Sequence, residues 1–238
     1  GSENDNNQNL AYPTLDGRIR NTYAALSSAT NKNSLYDSYI RALRWASDRV
    51  GERGIVAFVT NGSFIANNTA DGLRKCLSLE YSHLYIFNLR GNARTQGEER
   101  RREAGGIFGE GSRTPVVISI LVKAPDHTAP FELHYHDIGD YLSTEQKLEI
   151  IDNLGNIGAM GWQQIHPNEA GDWINQRDPS FAKFIALGDE SGKSGTSVFK
   201  EYSLGVKTNR DPWTYNMSRE AAVLNMSRMI DVYEGERS

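Results

Sequence analysis

The chain of 238 residues has a single cysteine, Cys76, which excludes an internal disulfide and any zinc site built from cysteines. It has no apolar run near the roughly 18 residues needed to span a bilayer, and no secretory pattern opens it. No membrane partner and a cytoplasmic setting are therefore expected. Neither sign of charge dominates: 26 Lys and Arg against 30 Asp and Glu give a formal charge of −4. Overall basicity thus offers no argument for a polyanionic partner, and only a local patch can supply one. A true phosphate loop is absent as well. Gly188-Asp-Glu-Ser-Gly192-Lys193-Ser194 has three residues between its glycines where the pattern needs four, and it follows 181–187, which reads as a short helix. A surface loop is the better reading. With no Gly-x-Ser-x-Gly elbow either, an α/β hydrolase or a nucleotide enzyme is disfavoured.

What is present is ordinary globular material, 38% hydrophobic and 24% charged, enough for one large domain or two small ones. Residues 3–9 are too polar for a core element. The opening Gly1-Ser2 resembles a cloning scar, and the final stretch 227–233 is helical in character; both ends suggest a piece of something longer. Asp16–Ala25 reads as a short helix. Leu35, Tyr36, Tyr39, Ile40, Leu43 and Val50 recur at three- and four-residue spacing, which predicts an amphipathic helix over 35–50 with Ser34 as its N-cap. Ile55–Val59 is a continuous apolar run, the pattern of a strand covered on both faces. A helix over 70–79, strands over 83–89 and 115–122, an alternating strand over 131–138 and a helix over 144–153 follow. The order predicts an α/β layered fold. Beyond Lys123 the chain becomes loop-rich, with Trp162, Trp173 and Trp213 among Gly, Pro, Asn and Asp, so a boundary is placed near residue 126.

Three segments carry possible chemistry. His134 and His136 share one strand face, a spacing some metal sites use, but no third ligand follows at a diagnostic distance; an exposed strand edge is preferred and no metal is expected. Residues 90–113 hold six arginines and four glutamates interrupted by six glycines. A solvated mobile loop explains that composition, yet connections this long are uncommon in a compact domain unless they do something. Its guanidinium groups (Arg90, Arg94, Arg100, Arg101, Arg102 and Arg113) are suited to tracking a phosphate backbone. Residues 207–216, with Lys207, Asn209 and Arg210 beside Trp213 and Tyr215, suit either a polar ligand or a buried turn.

The order Asn33-Ser34-Leu35-Tyr36-Asp37-Ser38-Tyr39, then Gly54–Asn61, then Ile107-Phe108-Gly109 ahead of the strand from Thr114 to Val122, resembles motifs V, VI and VIII of γ-class adenine-N6 DNA methyltransferases, with motif VII at 85–89. More narrowly, Tyr12-Pro13-Thr14-Leu15-Asp16-Gly17-Arg18, the run Ala29–Tyr39 and the run Gly205–Asn216 resemble type ISP restriction–modification enzymes through nearly the whole chain. That resemblance implies the C-terminal half of a Rossmann-like methyltransferase sheet with an antiparallel hairpin in residues 1–126. A linker and the start of a target-recognition region would fill 127–238. It implies double-stranded DNA as partner, S-adenosylmethionine as cofactor, and ATP with Mg in other domains of the same polypeptide (nuclease, helicase-like and coupler).

Neither the Asn-Pro-Pro-Tyr catalytic motif nor the glycine-rich turn that holds the cofactor's methionine end occurs here, so no catalytic residue is assigned and the piece alone is expected to be inactive. By resemblance Phe108 stacks on a flipped base and Tyr39 contacts the cofactor's adenine, although Tyr39 also fits an apolar helix face. The arginines of 90–113, with Lys207, Asn209 and Arg210, are assigned to DNA. The rival reading is a non-catalytic DNA-binding or coupling module with a methyltransferase-like fold.

Overall fold

The computed structural model describes residues 11–108, 112–178, 180, 183–188, 197–199 and 211–237. Two compact units divide between Arg177 and Asp178. The first is a mixed α/β layer. Its helices are α1 (Pro13–Asn21), α2 (Tyr23–Leu26), α3 (Ser38–Ser47), α4 (Asp71–Glu80), α5 (Gly97–Glu103) and α6 (Thr144–Asn153). Its strands are β1 (Gly54–Asn61), β2 (His83–Arg90), β3 (Val116–Lys123), β4 (Glu132–Asp137) and β5 (Gln163–Ile165), lying in the order β1-β3-β2-β4-β5. β3 runs antiparallel to both β1 and β2, whereas β4 is parallel to β2. β4 and β5 thus join the same sheet, and the expected boundary near 126 falls between two of its strands.

Alternation sorts each strand onto two faces. Val56, Leu121, Leu84, Ile86 and Leu133 meet Ile19, Tyr23, Leu43, Leu73 and Leu77 of the first four helices in the main core. On the other face Phe87, Leu89, Val116 and Ile138 form a smaller core with Ile150, Ile151 and Trp162. This second layer does not reach β1, where Ile55 is 66% and Val59 53% exposed. The apolar run of β1 is therefore covered on one face only, contrary to the expectation from its sequence.

Local chemistry explains the element limits. The helix expected over 35–50 breaks into a 3₁₀ turn at Asn33–Tyr36 and α3, because Asp37 adopts extended backbone at the N-cap. Ser34 instead bonds Thr69, 2.9 Å away. α6 begins where Ser143 and Gln146 form a capping box. Gly72 admits α4 against α2, since a Cβ there would sit 1.9 Å from the Tyr23 carbonyl oxygen.

Arg74 of α4 is 1% exposed. Its guanidinium donates to the carbonyls of Gly171 (2.6 Å), Phe64 (2.8 Å) and Asn67 (2.7 Å) and to the Asp172 carboxylate (3.1 Å). Asp172 also accepts from Arg177 Nε at 2.8 Å.

The described residues of the arginine-rich connection are not all the solvated loop their composition suggests. They include α5, whose C-terminal carbonyls are held from outside. Buried Lys147 of α6 donates to the carbonyls of Glu103 (2.9 Å) and Gly105 (2.6 Å). Thr144 Oγ1 adds a bond to the Gly106 carbonyl at 2.7 Å.

The second unit holds β6 (Ala186–Gly188) and β7 (Ser197–Phe199), a parallel pair, with α7 (Asp211–Thr214) and α8 (Arg219–Arg237). Residues 186 and 187, the end of the short helix expected over 181–187, belong instead to β6, which pairs with β7. The near-phosphate loop lies mainly outside the described residues. Among the described residues no helix is long and apolar enough to cross a membrane.

Three outcomes are expected. Arg74→Met removes the buried cation that faces Asp172 and the side-chain donor shared by three carbonyls, and urea unfolding should show a loss of about 3–5 kcal/mol. The bond from Arg177 outweighs burial and holds the Asp172 carboxyl below its ordinary 3.8. Its contribution to stability is then complete above that value and is lost as the pH falls through the folded one. Melting curves of Asp172→Asn should accordingly depend less on pH in the acid range than the parent's. Lys147→Met should cost about 1–3 kcal/mol by leaving two carbonyls unpaired, and should speed trypsin cleavage within α5.

Candidate functional site

β1, β2 and β4 run in the same direction, so their carboxyl ends gather at one rim of the sheet. A polar cleft of about 570 Å³ opens there, lined among others by Ser63, Asn67, Asn88, Arg90, Tyr135 and Asp137. Open α/β sheets bind ligands at the carboxyl ends of their strands. Local chain chemistry shapes this rim. Asn61 ends β1 and accepts from the Ser63 backbone N–H at 2.9 Å and the Ser63 hydroxyl at 2.7 Å, which turns the chain. β2 ends in a bulge between Asn88 and Arg90, and Arg90 takes the left-handed φ of 57°. Such strain in a side-chain-bearing residue costs about 1–3 kcal/mol and collects at functional sites.

The polar groups form one network. Arg90 Nε donates to Asp137 Oδ1 at 2.6 Å, and its second nitrogen reaches Asp140 at 2.6 Å. Tyr135 Oη donates to Asp137 Oδ2 at 2.9 Å and accepts from Asn88 Nδ2 at 3.0 Å. Burial alone would raise the Asp137 carboxyl; bonds from Arg90, Gly139 and Tyr135 instead hold it below the usual carboxylate range. Burial pushes the Tyr135 phenol well up, so it stays a neutral donor. Asn88, Tyr135 and Asp137 were missed in the sequence. The available signals were a lone amide in an apolar strand and the shared face of Tyr135 and Asp137.

The assigned residues divide by environment. Arg90 lines the cleft but is engaged by two carboxylates. Arg100 donates to the Ala104 carbonyl at 2.6 Å, capping its own helix. Arg101 is exposed and meets Glu98 at 3.3 Å, while Arg94, Arg102 and Arg113 are also exposed. Glu103, a conceivable partner for these arginines, accepts instead from the Asn92 backbone at 2.9 Å. Phe108 is 59% exposed in the β2–β3 connection and does not line the cleft. Tyr39 is half-buried in the main core with its ring 6.3 Å from Phe64. Lys207, Asn209 and Arg210 lie outside the described residues.

Comparison with known proteins gives three kinds of result. A model of the type ISP C-terminal specificity domain matches residues 197–238. A search of curated proteins gives no match. Among solved structures, a nuclease-deletion mutant of the type ISP restriction–modification enzyme LlaGI, in complex with a DNA substrate mimic, is 46% identical with a TM-score of 0.86. The ATP-dependent type ISP restriction–modification enzyme LlaBIII bound to DNA is 41% identical with a TM-score of 0.88. DrdV in its DNA complex is 36% identical with a TM-score of 0.86. Each alignment covers 98% of this chain, but only 19%, 16% and 23% of the respective relative. In sequence and in fold, through almost all of its residues, this chain is similar to one segment of the type ISP restriction–modification enzymes.

Proposed function

We propose that this chain is the part of a type ISP restriction–modification enzyme that completes the adenine-N6 methyltransferase and leads into its specificity region. Residues 1–126 supply the distal half of the methyltransferase sheet. Residues 127–238 add β4 and β5 to its edge and begin the target-recognition region. The observation that carries this reading is the agreement with two type ISP enzymes over 98% of the chain. The sheet supports it. Because β3 runs back between β1 and β2, the connection bearing exposed Phe108 leaves β2 at the end where the cleft opens. An adenine inside a duplex is out of reach, so a base-modifying enzyme must extrude it and grip it by stacking and edge hydrogen bonds. An exposed ring on the connection that leaves the sheet at this end suits that task.

Tyr39, half-buried with its ring 6.3 Å from Phe64, is the residue the resemblance points to for S-adenosylmethionine, while the sequence has no glycine-rich strand-to-helix turn to hold that cofactor's methionine end. The methyl donor, like ATP and Mg, belongs to the whole polypeptide.

The second reading, a non-catalytic DNA-binding or coupling module, draws support from the exposed Arg94, Arg101 and Arg113. One pair of measurements on the full-length protein separates the two. Phe108→Ala should slow methylation about tenfold to a hundredfold, the worth of one base–aromatic stack, while DNA affinity and ATP hydrolysis persist. Unchanged methylation favours the module. Replacing Arg94, Arg101 and Arg113 with Ala should weaken all DNA sequences alike and reduce the slope of log K against log salt by about 0.9 per lost phosphate contact. A change in sequence preference alone would show instead that these arginines read bases.

A further inference from the structure

On the sheet face away from the main core, the parallel register of β2 and β4 sets His83 beside Glu132 and Tyr85 beside His134. His83 Nδ1 lies 3.5 Å and His134 Nε2 3.2 Å from the same oxygen, Glu132 Oε2. One donor atom from each of the three residues falls within 4.8 Å of the others. Neither close approach is a hydrogen bond, for both ring nitrogens are buried and have no hydrogen-bond partner. Buried polar atoms left without a partner are costly, and two lie here side by side. A single cation placed among the three would satisfy both nitrogens and the carboxylate together.

The distances fit that occupant. Tetrahedral bonds of about 2.0–2.1 Å to nitrogen and oxygen hold neighbouring ligands about 3.3–3.4 Å apart, close to the separation of each ring nitrogen from Glu132 Oε2. The rings are also held in place. His134 stacks on Tyr85 with centroids 4.5 Å apart, Trp162 meets Tyr85 edge-on at 5.2 Å, and His127 meets His83 edge-on at 4.3 Å. Two imidazoles and one carboxylate suit a borderline ion such as zinc; calcium and magnesium take all-oxygen shells.

We propose that His83, Glu132 and His134 bind a divalent ion of the zinc class, with a fourth position left for water. This departs from the sequence reading, which paired His134 with His136 and expected no metal. His136 is committed elsewhere, with Nδ1 2.9 Å from the Gly161 carbonyl oxygen. The ion ties β4 to β2 at the start of both strands, and so fastens the segment after residue 126 to the methyltransferase-like sheet.

The test uses full-length protein stripped with a chelator and desalted, then titrated with Zn²⁺ by calorimetry and with Co²⁺ by visible absorption. One equivalent of zinc should bind at about micromolar affinity or tighter, and cobalt should give the intense bands of a tetrahedral site. The His83→Ala, His134→Ala double variant should lose both signals, and His136→Ala should keep them. Glu132→Gln preserves side-chain size and guards against misfolding. With its circular dichroism unchanged, it should still weaken zinc binding by about tenfold to a hundredfold or more. The proposal is overturned if the parent takes up no zinc, or if Glu132→Gln and the double variant bind with the parent's stoichiometry and affinity.

Discussion

The first unit depends on one buried guanidinium. Arg74 holds segments that no strand or helix joins: the turn after β1, through Phe64 and Asn67, and the stretch after β5, through Gly171 and Asp172. A charge this deep is tolerable only when nearly all its donors are satisfied, and here three carbonyls and a carboxylate do so. The geometry is selective as well. A planar fork reaches several acceptors at fixed angles, which a lysine ammonium does not reproduce. Trp173 and Ile174, just beyond Asp172, are thereby drawn onto the main core, where Phe64 meets Trp173 edge-on at 6.1 Å.

The same device recurs at smaller scale. Arg44 of α3, 2% exposed, grips Glu80 at the end of α4 through two bonds of 2.7 and 2.9 Å. Asp71, at the start of α4, accepts from Ser27 and from both the backbone and the hydroxyl of Ser28. Helices too short to be stable alone are thus fixed at both ends by charged or hydroxyl side chains, while apolar burial fills the space between. The carboxyl-end rim of the sheet inherits this rigidity, since its turns hang from the same helices.

Much of the fold was legible because its signals are local. The strands at 83–89 and 115–122 stand out as apolar runs, and the helix at 144–153 begins at a serine cap and ends as expected. What was not legible depends on pairing across distance. An apolar run such as Ile55–Val59 shows that a strand can be covered, not that both faces are. A lysine at position 147 gives no sign that it will be buried beneath a helix more than forty residues earlier, and so the helix within the arginine-rich connection, and its anchor, could not be read. The candidate site was hidden for the same reason. Asn88 and Asp137 meet only because β4 adds to β2 in parallel, as do His83 and Glu132. The resemblance to type ISP enzymes agrees with the solved structures that match the chain, but it pointed to Phe108 and Tyr39, not to the network of Asn88, Arg90, Tyr135 and Asp137.

The bare side of β1 has a practical consequence. Among the described residues its outer edge pairs with nothing, so a row of backbone donors and acceptors stands beside exposed Ile55 and Val59. A long apolar strand edge is a template for adding another strand, whether from the proper neighbour or from a stray chain. No proline or inward-pointing charge within Gly54–Asn61 blunts it. During synthesis this edge emerges before most of the surrounding sheet, and any chain that pairs with it first decides between assembly and aggregation.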